Sequence, residues 1–144
     1  MPLPKPFPGL VLHYAYLWHD EKRRGLEEGL KDRPCLIAAV EHNAIGEIFI
    51  TVAPITHRAP RNSQHAVQIP AVTKQRLGLD DDSSWIILTE VNRFLWPGPD
   101  VRQIPIAPGG QFTYGVIPPA LFDKVKASIL CCARDNTLLA TIRS

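Results

Sequence analysis

Two places in this 144-residue chain set polar side chains at the ends of apolar runs, and both carry groups suited to a phosphate. The first is Arg33-Pro34, which leads straight into CLIAAV at 35–40. Proline fixes the backbone beside an arginine whose planar fork of N–H donors matches phosphate oxygens. The second is VAPIT at 52–56, where an apolar run exits through Thr56 into His57. A threonine hydroxyl there can donate to the same anion, and an imidazole titrates near neutrality and suits proton transfer. Arg58 and Arg61 follow in the same loop and have the charge to track a nucleic-acid backbone. Each feature also has an ordinary counterpart. An Arg-Pro step makes turns, a strand-end threonine caps its own backbone, and a loop histidine sits in water.

No spacing points to a metal or a cofactor. The five histidines lack ligand spacing, and the three cysteines include no CxxC pair. Cys35, Cys131 and Cys132 read as buried, reduced thiols rather than a disulfide framework. The net charge of +2 is too small to mark a nucleic-acid binder. Its distribution says more. No acid falls between Glu47 and Asp80, while Arg58, Arg61, Lys74, Arg76, His57 and His65 do. That stretch is either a solvated basic face or a phosphate track.

These residues need a scaffold, and the length suits one domain spanning 1–144. Hydrophobic residues make up 45% and charged residues 21%, which excludes wholesale disorder, collagen and coiled coil. No apolar run approaches the ~20 residues of a membrane span. The proline-rich arm at 1–8 lacks the apolar centre of a signal peptide, so a cytoplasmic protein is expected. Residues 9–18 read as a strand, and 19–32 as a charged loop with room for a helical turn at 21–28. Residues 34–40 and 47–55 read as a hairpin turning at Asn43 and Gly46, with Pro54 at an edge or bulge. A short strand at 64–69 precedes a helix opened by Pro70 and ended by Gly78. Residues 85–91 read as one central strand, 97–110 as a loop or weak edge hairpin, and 112–116 as a further strand. Pro118-Pro119 opens the longest helix, with Leu121, Phe122, Val125, Ile129 and Leu130 as its apolar stripe. Residues 133–144 read as a tail. Five to seven short strands with a late helix imply a mainly β fold, a bent sheet or barrel.

Taken in order, these motifs resemble the MazF/PemK (Kid) family of toxin endoribonucleases. The matching residues are Gly9-Leu10-Val11, Glu28 five positions before Arg33-Pro34, CLIAAV, and VAPIT at 52–56. HAVQI at 65–69, SWIILTE at 84–90 and GVIPPALFDKV at 115–125 follow in the family's order. The likeness spans roughly residues 8–131. The chain departs from the family after Glu90, where only Arg93 of the usual motif is kept, at an insertion over 97–111, and in the tail from Ala133.

The resemblance implies an SH3-like barrel of the CcdB/PemK type, with a short middle helix and a C-terminal helix. It implies a homodimeric growth inhibitor of a toxin–antitoxin system, an mRNA interferase neutralised by a cognate antitoxin protein. Such enzymes cut single-stranded RNA selectively, without metal or cofactor. The 2′-hydroxyl attacks phosphorus and leaves a 2′,3′-cyclic phosphate and a 5′-hydroxyl. By that likeness Arg33 stabilises the phosphorane and can supply the leaving-group proton, and Thr56 bonds a phosphate oxygen. Glu28 is a candidate base or a partner that orients Arg33, and Glu90 stands where relatives place a catalytic carboxylate. His57, Arg58, Arg61 and Arg93 are expected to bind RNA, and Tyr14, Tyr16, Trp18 and Trp96 to stack bases or fill the core. The alternative is a catalytically altered PemK/CcdB-like binding module that acts through a protein partner.

Overall fold

Residues 10–17 read LVLHYAYL with no polar alternation, and every one of them is buried. A strand of that composition must be covered on both faces. The structure, a computed structural model, describes residues 3–25, 31–79, 83–105 and 110–143. In it β1 (Leu10–Tyr14) lies between β2 (Arg33–His42) and β7 (Thr113–Val116), antiparallel to both. Val11 enters a core with Leu36, Ala53, Ile86 and the helices. Leu10, Leu12 and Tyr14 enter a second core with Cys35, Ile37, Ile50 and Phe94.

The expected hairpin is present. β2 pairs with β3 (Ile48–Thr56), and Asn43 Oδ1 closes the turn by accepting from the N–H groups of Ile45 and Glu47. On its other side β3 forks. Its residues 49–52 pair with β6 (Glu90–Leu95), and Ile55 and Thr56 pair with β5 (Trp85–Ile87). Pro54, with no N–H to donate, sits at the changeover. The fork divides the single strand expected at 85–91. Leu88 and Thr89 leave the ladder, as Leu88 N–H donates to His65 and Thr89 C=O accepts from Leu139. β4 (Ala66–Gln68) borders β5 and begins later than expected, because residues Ser63–His65 form a 3₁₀ turn capped by Asn62. The order is β4-β5-β3-β2-β1-β7, with β6 and β8 (Leu139–Ile142) branching from β3. Among the described residues no pairing joins β4 to β7, so the fold is a mainly β, open sheet with three helices.

α1 (His19–Arg23) starts earlier than the turn expected at 21–28. α2 (Ala71–Leu77) ends at Gly78, whose left-handed φ of 70° suits glycine. α3 (Pro119–Arg134) buries Val125, Ile129 and Cys132 on one stripe. Leu130, expected there, is 50% exposed, and Cys132 takes the inward position. Cys131 is exposed, so only Cys35 and Cys132 fit the expectation of buried thiols. Gly115, at φ +128°, lets Leu77 of α2 pack closely on β7, since a Cβ there would meet Leu77 Cδ2 at 3.0 Å.

The presumed tail is structural. After Asn136, left-handed at φ 60°, the chain forms β8, which pairs with β6 in parallel. This delivers Arg143 to the interior. Its Nη2 lies 2.9 Å from Asp100 Oδ2, and its Nη1 donates to Ala15 O at 3.0 Å and to Asn92 Oδ1 at 3.1 Å. Asn92 in turn clasps Leu17, accepting from its N–H at 2.9 Å and donating to its C=O at 2.8 Å. Removing one member of a buried pair strands the other charge and costs about 3–5 kcal/mol. Arg143→Met is therefore expected to lower the urea-unfolding free energy by about that amount, and Asp100→Leu with Arg143→Met to recover much of it. Equal midpoints for the single variant and the wild type would show that the network carries no stability.

Candidate functional site

Antiparallel pairing brings the start of β2, the exit of β3, the end of β1 and the starts of β6 and β7 to one end of the sheet. An open groove of about 1340 Å³ lies there. Arg33, Thr56, His57, Arg58 and Glu90 line it, so the two motif ends converge. Arg61 is exposed and lies outside the lining. Arg93 is also elsewhere: it lies over the Phe49 ring at 4.4 Å and 3.6 Å from Glu41, on the β3–β6 ladder. Its position, three residues beyond Glu90, carries it away from the groove. Glu28 lies outside the described residues. The basic stretch is not one track either, since Lys74 is buried in α2.

Arg33 opens β2 with its guanidinium carbon 4.9 Å above the Trp18 ring. The stacking holds the cation by its face and leaves its edge to bond. Its Nε is buried and has no hydrogen-bond partner among the described residues. Thr56 Oγ1 accepts from Arg58 N–H at 3.2 Å, the local cap that strand-end threonines make. That bond uses an oxygen lone pair and leaves the hydroxyl hydrogen to donate. His57 is not a free loop side chain. Its Nδ1 lies 3.0 Å from Ser83 C=O, which can only accept, so Nδ1 carries the proton of that bond.

Glu90 starts β6 beneath the β1–α1 connection. Its Oε1 accepts from Tyr16 O–H and from His19 N–H, each at 3.0 Å. Oε2 has no partner among the described residues. Burial pushes the carboxyl above its ordinary range against the opposing pull of those two donors. Glu21, also buried, accepts from Trp18 N–H at 3.0 Å. The two carboxylates thus satisfy donors at the start of α1 that no helical turn reaches.

The aromatic residues divide. Tyr14 and Tyr16 are fully buried, Trp96 packs on the second core, and Trp18 lines the groove. His13 and Tyr114 line the groove and are not among the residues singled out from the sequence. His13, only 7% exposed, has its Nδ1 2.8 Å from Tyr114 Oη and its Nε2 3.7 Å from Asp32 Oδ2. Burial lowers its pKa, Asp32 opposes the shift, and Arg102 adds to it. The available signal was a lone ionisable residue inside an apolar strand.

Glu90 makes stability depend on pH. Its folded-state pKa lies above the unfolded value, so the folded chain holds this proton more tightly. The stabilisation is present below about pH 4.5 and lost as pH rises through the folded pKa. Glu90→Gln keeps the Oε1 acceptor and removes the titration. Urea midpoints of the variant and wild type are expected to diverge above pH 4.5, in favour of the variant. Parallel curves would assign Glu90 an unshifted carboxyl.

No protein-family model matches the chain, and no curated protein matches its sequence.

Proposed function

We propose that the groove binds single-stranded RNA and cleaves it by attack of a 2′-hydroxyl on the adjacent phosphorus, giving a 2′,3′-cyclic phosphate and a 5′-hydroxyl. The observation that carries this reading is the convergence of Arg33, Thr56 and Glu90 on one groove, with Arg33 Nε buried and unpartnered. The nucleophile belongs to the substrate, so the protein must supply charge, orientation and proton transfer. Arg33 meets the negative charge that develops on the phosphorane oxygens. Thr56 donates its hydroxyl hydrogen to a phosphate oxygen. A guanidinium gives up protons too reluctantly to serve as the acid. Glu90 suits that task better, because burial raises the share of its carboxyl that carries a proton. Arg58 adds charge at the mouth, and Trp18 offers a base an aromatic surface.

The same reading makes the protein an mRNA interferase toxin, with a homodimeric state and an antitoxin partner, on a part-open SH3-like barrel of the CcdB/PemK type. The fork of β3, which turns one strand into the edge of two ladders, supports that architecture. One observation favours a second reading, a binding module that acts through a protein partner. Arg93, the residue kept after Glu90, is engaged with Phe49 and Glu41 and adds no cation to the groove.

Purified protein incubated with mixed-sequence single-stranded RNA in EDTA is expected to give discrete cuts ending in cyclic phosphate. Arg33→Ala and Thr56→Ala are expected to fold normally and cut at least about 100-fold more slowly. Intact RNA at high concentration of folded wild type would overturn the nuclease reading and favour the binding module.

A further inference from the structure

We propose that His13 is the general base of this groove, with Nε2 taking the proton of the attacking 2′-hydroxyl and Tyr114 orienting the imidazole. The inference rests on the ribonuclease reading above and names the group that reading leaves open. His13 is buried, yet it lines the groove. Among the described residues, its Nε2 is one of two buried side-chain atoms without a hydrogen-bond partner, and the other is Arg33 Nε. A buried polar atom left unmet is destabilising. Two such atoms on one groove are accounted for together if a substrate meets both.

The ring is held for this task. Nδ1 is 2.8 Å from Tyr114 Oη, and the two rings meet edge to face at 6.0 Å. With Nδ1–H donating to the tyrosine oxygen, Nε2 presents a bare lone pair. Asp32 Oδ2, 3.7 Å from Nε2, is too far for a good hydrogen bond and near enough to support the imidazolium once it forms. The charged and titratable groups facing His13 are Asp32 ahead of β2, Arg102 from the segment after β6, and Tyr114 of β7. Burial outweighs Asp32, so the resting imidazole is neutral at pH 7 and able to accept a proton.

Strand alternation places this base opposite the cation. His13 pairs with Pro34, and Arg33 with Tyr14, so the His13 and Arg33 side chains leave adjacent ladder positions on opposite faces. In-line displacement needs a base and an acid on opposite sides of phosphorus, the parts taken here by His13 and Glu90. The 2′-hydroxyl proton passes to His13 Nε2 as the O2′–P bond forms. The P–O5′ bond breaks, and Glu90 delivers a proton to the departing oxygen. Exchange with water then restores a neutral His13 and a protonated Glu90.

The test uses the full chain on single-stranded RNA, with His13→Ala and Tyr114→Phe. His13→Ala is expected to lower kcat at least about 100-fold while KM stays within about 3-fold. The acid limb of kcat/KM, expected below pH 6.5 in the wild type, should vanish, and added imidazole should restore part of the rate. Tyr114→Phe keeps the ring and should shift that limb. A folded His13→Ala that cuts at the wild-type rate, or one that imidazole does not rescue, overturns the proposal and leaves the nuclease reading intact. If His13→Ala does not fold, an acid limb unmoved by Tyr114→Phe overturns it instead. Wild type that leaves RNA intact overturns both.

Discussion

The side-chain amide of Asn92 takes the place of a neighbouring strand for Leu17. It has no solvent exposure, and it answers both the N–H and the C=O of that residue. An amide offers a donor and an acceptor side by side without carrying a charge. Arg143 shares the amide oxygen, also bonds Ala15 C=O, and carries Asp100 as its counter-charge. In a dry interior each of these groups would be expensive alone. The chain leaving β1 therefore has one low-energy path, set by Asn92 of β6, Arg143 just after β8 and Asp100 of the segment between β6 and β7. The groove depends on that path. It puts Trp18 under Arg33, and Tyr16 O–H and His19 N–H on Glu90.

His13 and Glu90, both lining the groove, are displaced toward each other. Burial raises Glu90 and lowers His13, and in both cases desolvation is the largest cause. Low dielectric penalises the charged form of either, so one environment pushes an acid up and a base down. A carboxyl that holds its proton more tightly and an imidazole that rests neutral are the acid and the base a transesterification requires. Tyr16 is held protonated by its burial and by Glu90, so it acts as a fixed donor to that carboxylate rather than a second acid.

What could be read from the sequence follows from which interactions are local. Arg33 and Thr56 fall at strand ends whose antiparallel pairing is set by a short turn at Asn43 and Gly46, so their convergence follows from the hairpin alone. The capped helix at 71–77 and the stripe of α3 are equally local. The misreadings involve long-range choices. SWIILTEV has the composition of one strand, and only the partner change in β3 divides it. The last residues have weak periodicity, and their burial depends on Asp100 and Asn92, far away in sequence. Arg93 keeps its place in the motif but meets Glu41 and Phe49 across the ladder. His13 escaped notice because an apolar strand hides which of its residues reaches an open end.

The charge of the groove shows why a net charge of +2 says little about its ligand. Arg24, Lys31, Arg33 and Arg58 line it, and so do Asp20, Glu21, Asp32 and Glu90. By count they cancel. By engagement they do not. Glu21 and Glu90 accept backbone N–H groups of the α1 start, Asp20 lies 3.4 Å from Arg24, and Asp32 faces His13. Arg33, in contrast, keeps a buried N–H unspent. The field an entering anion meets is set by which charges are already answered. The acids are largely committed to the protein's own donors, so a phosphate is drawn to Arg33 rather than to the groove as a whole. Such a site discriminates by position more than by long-range attraction, and of the basic stretch read from composition His57 and Arg58 reach the groove.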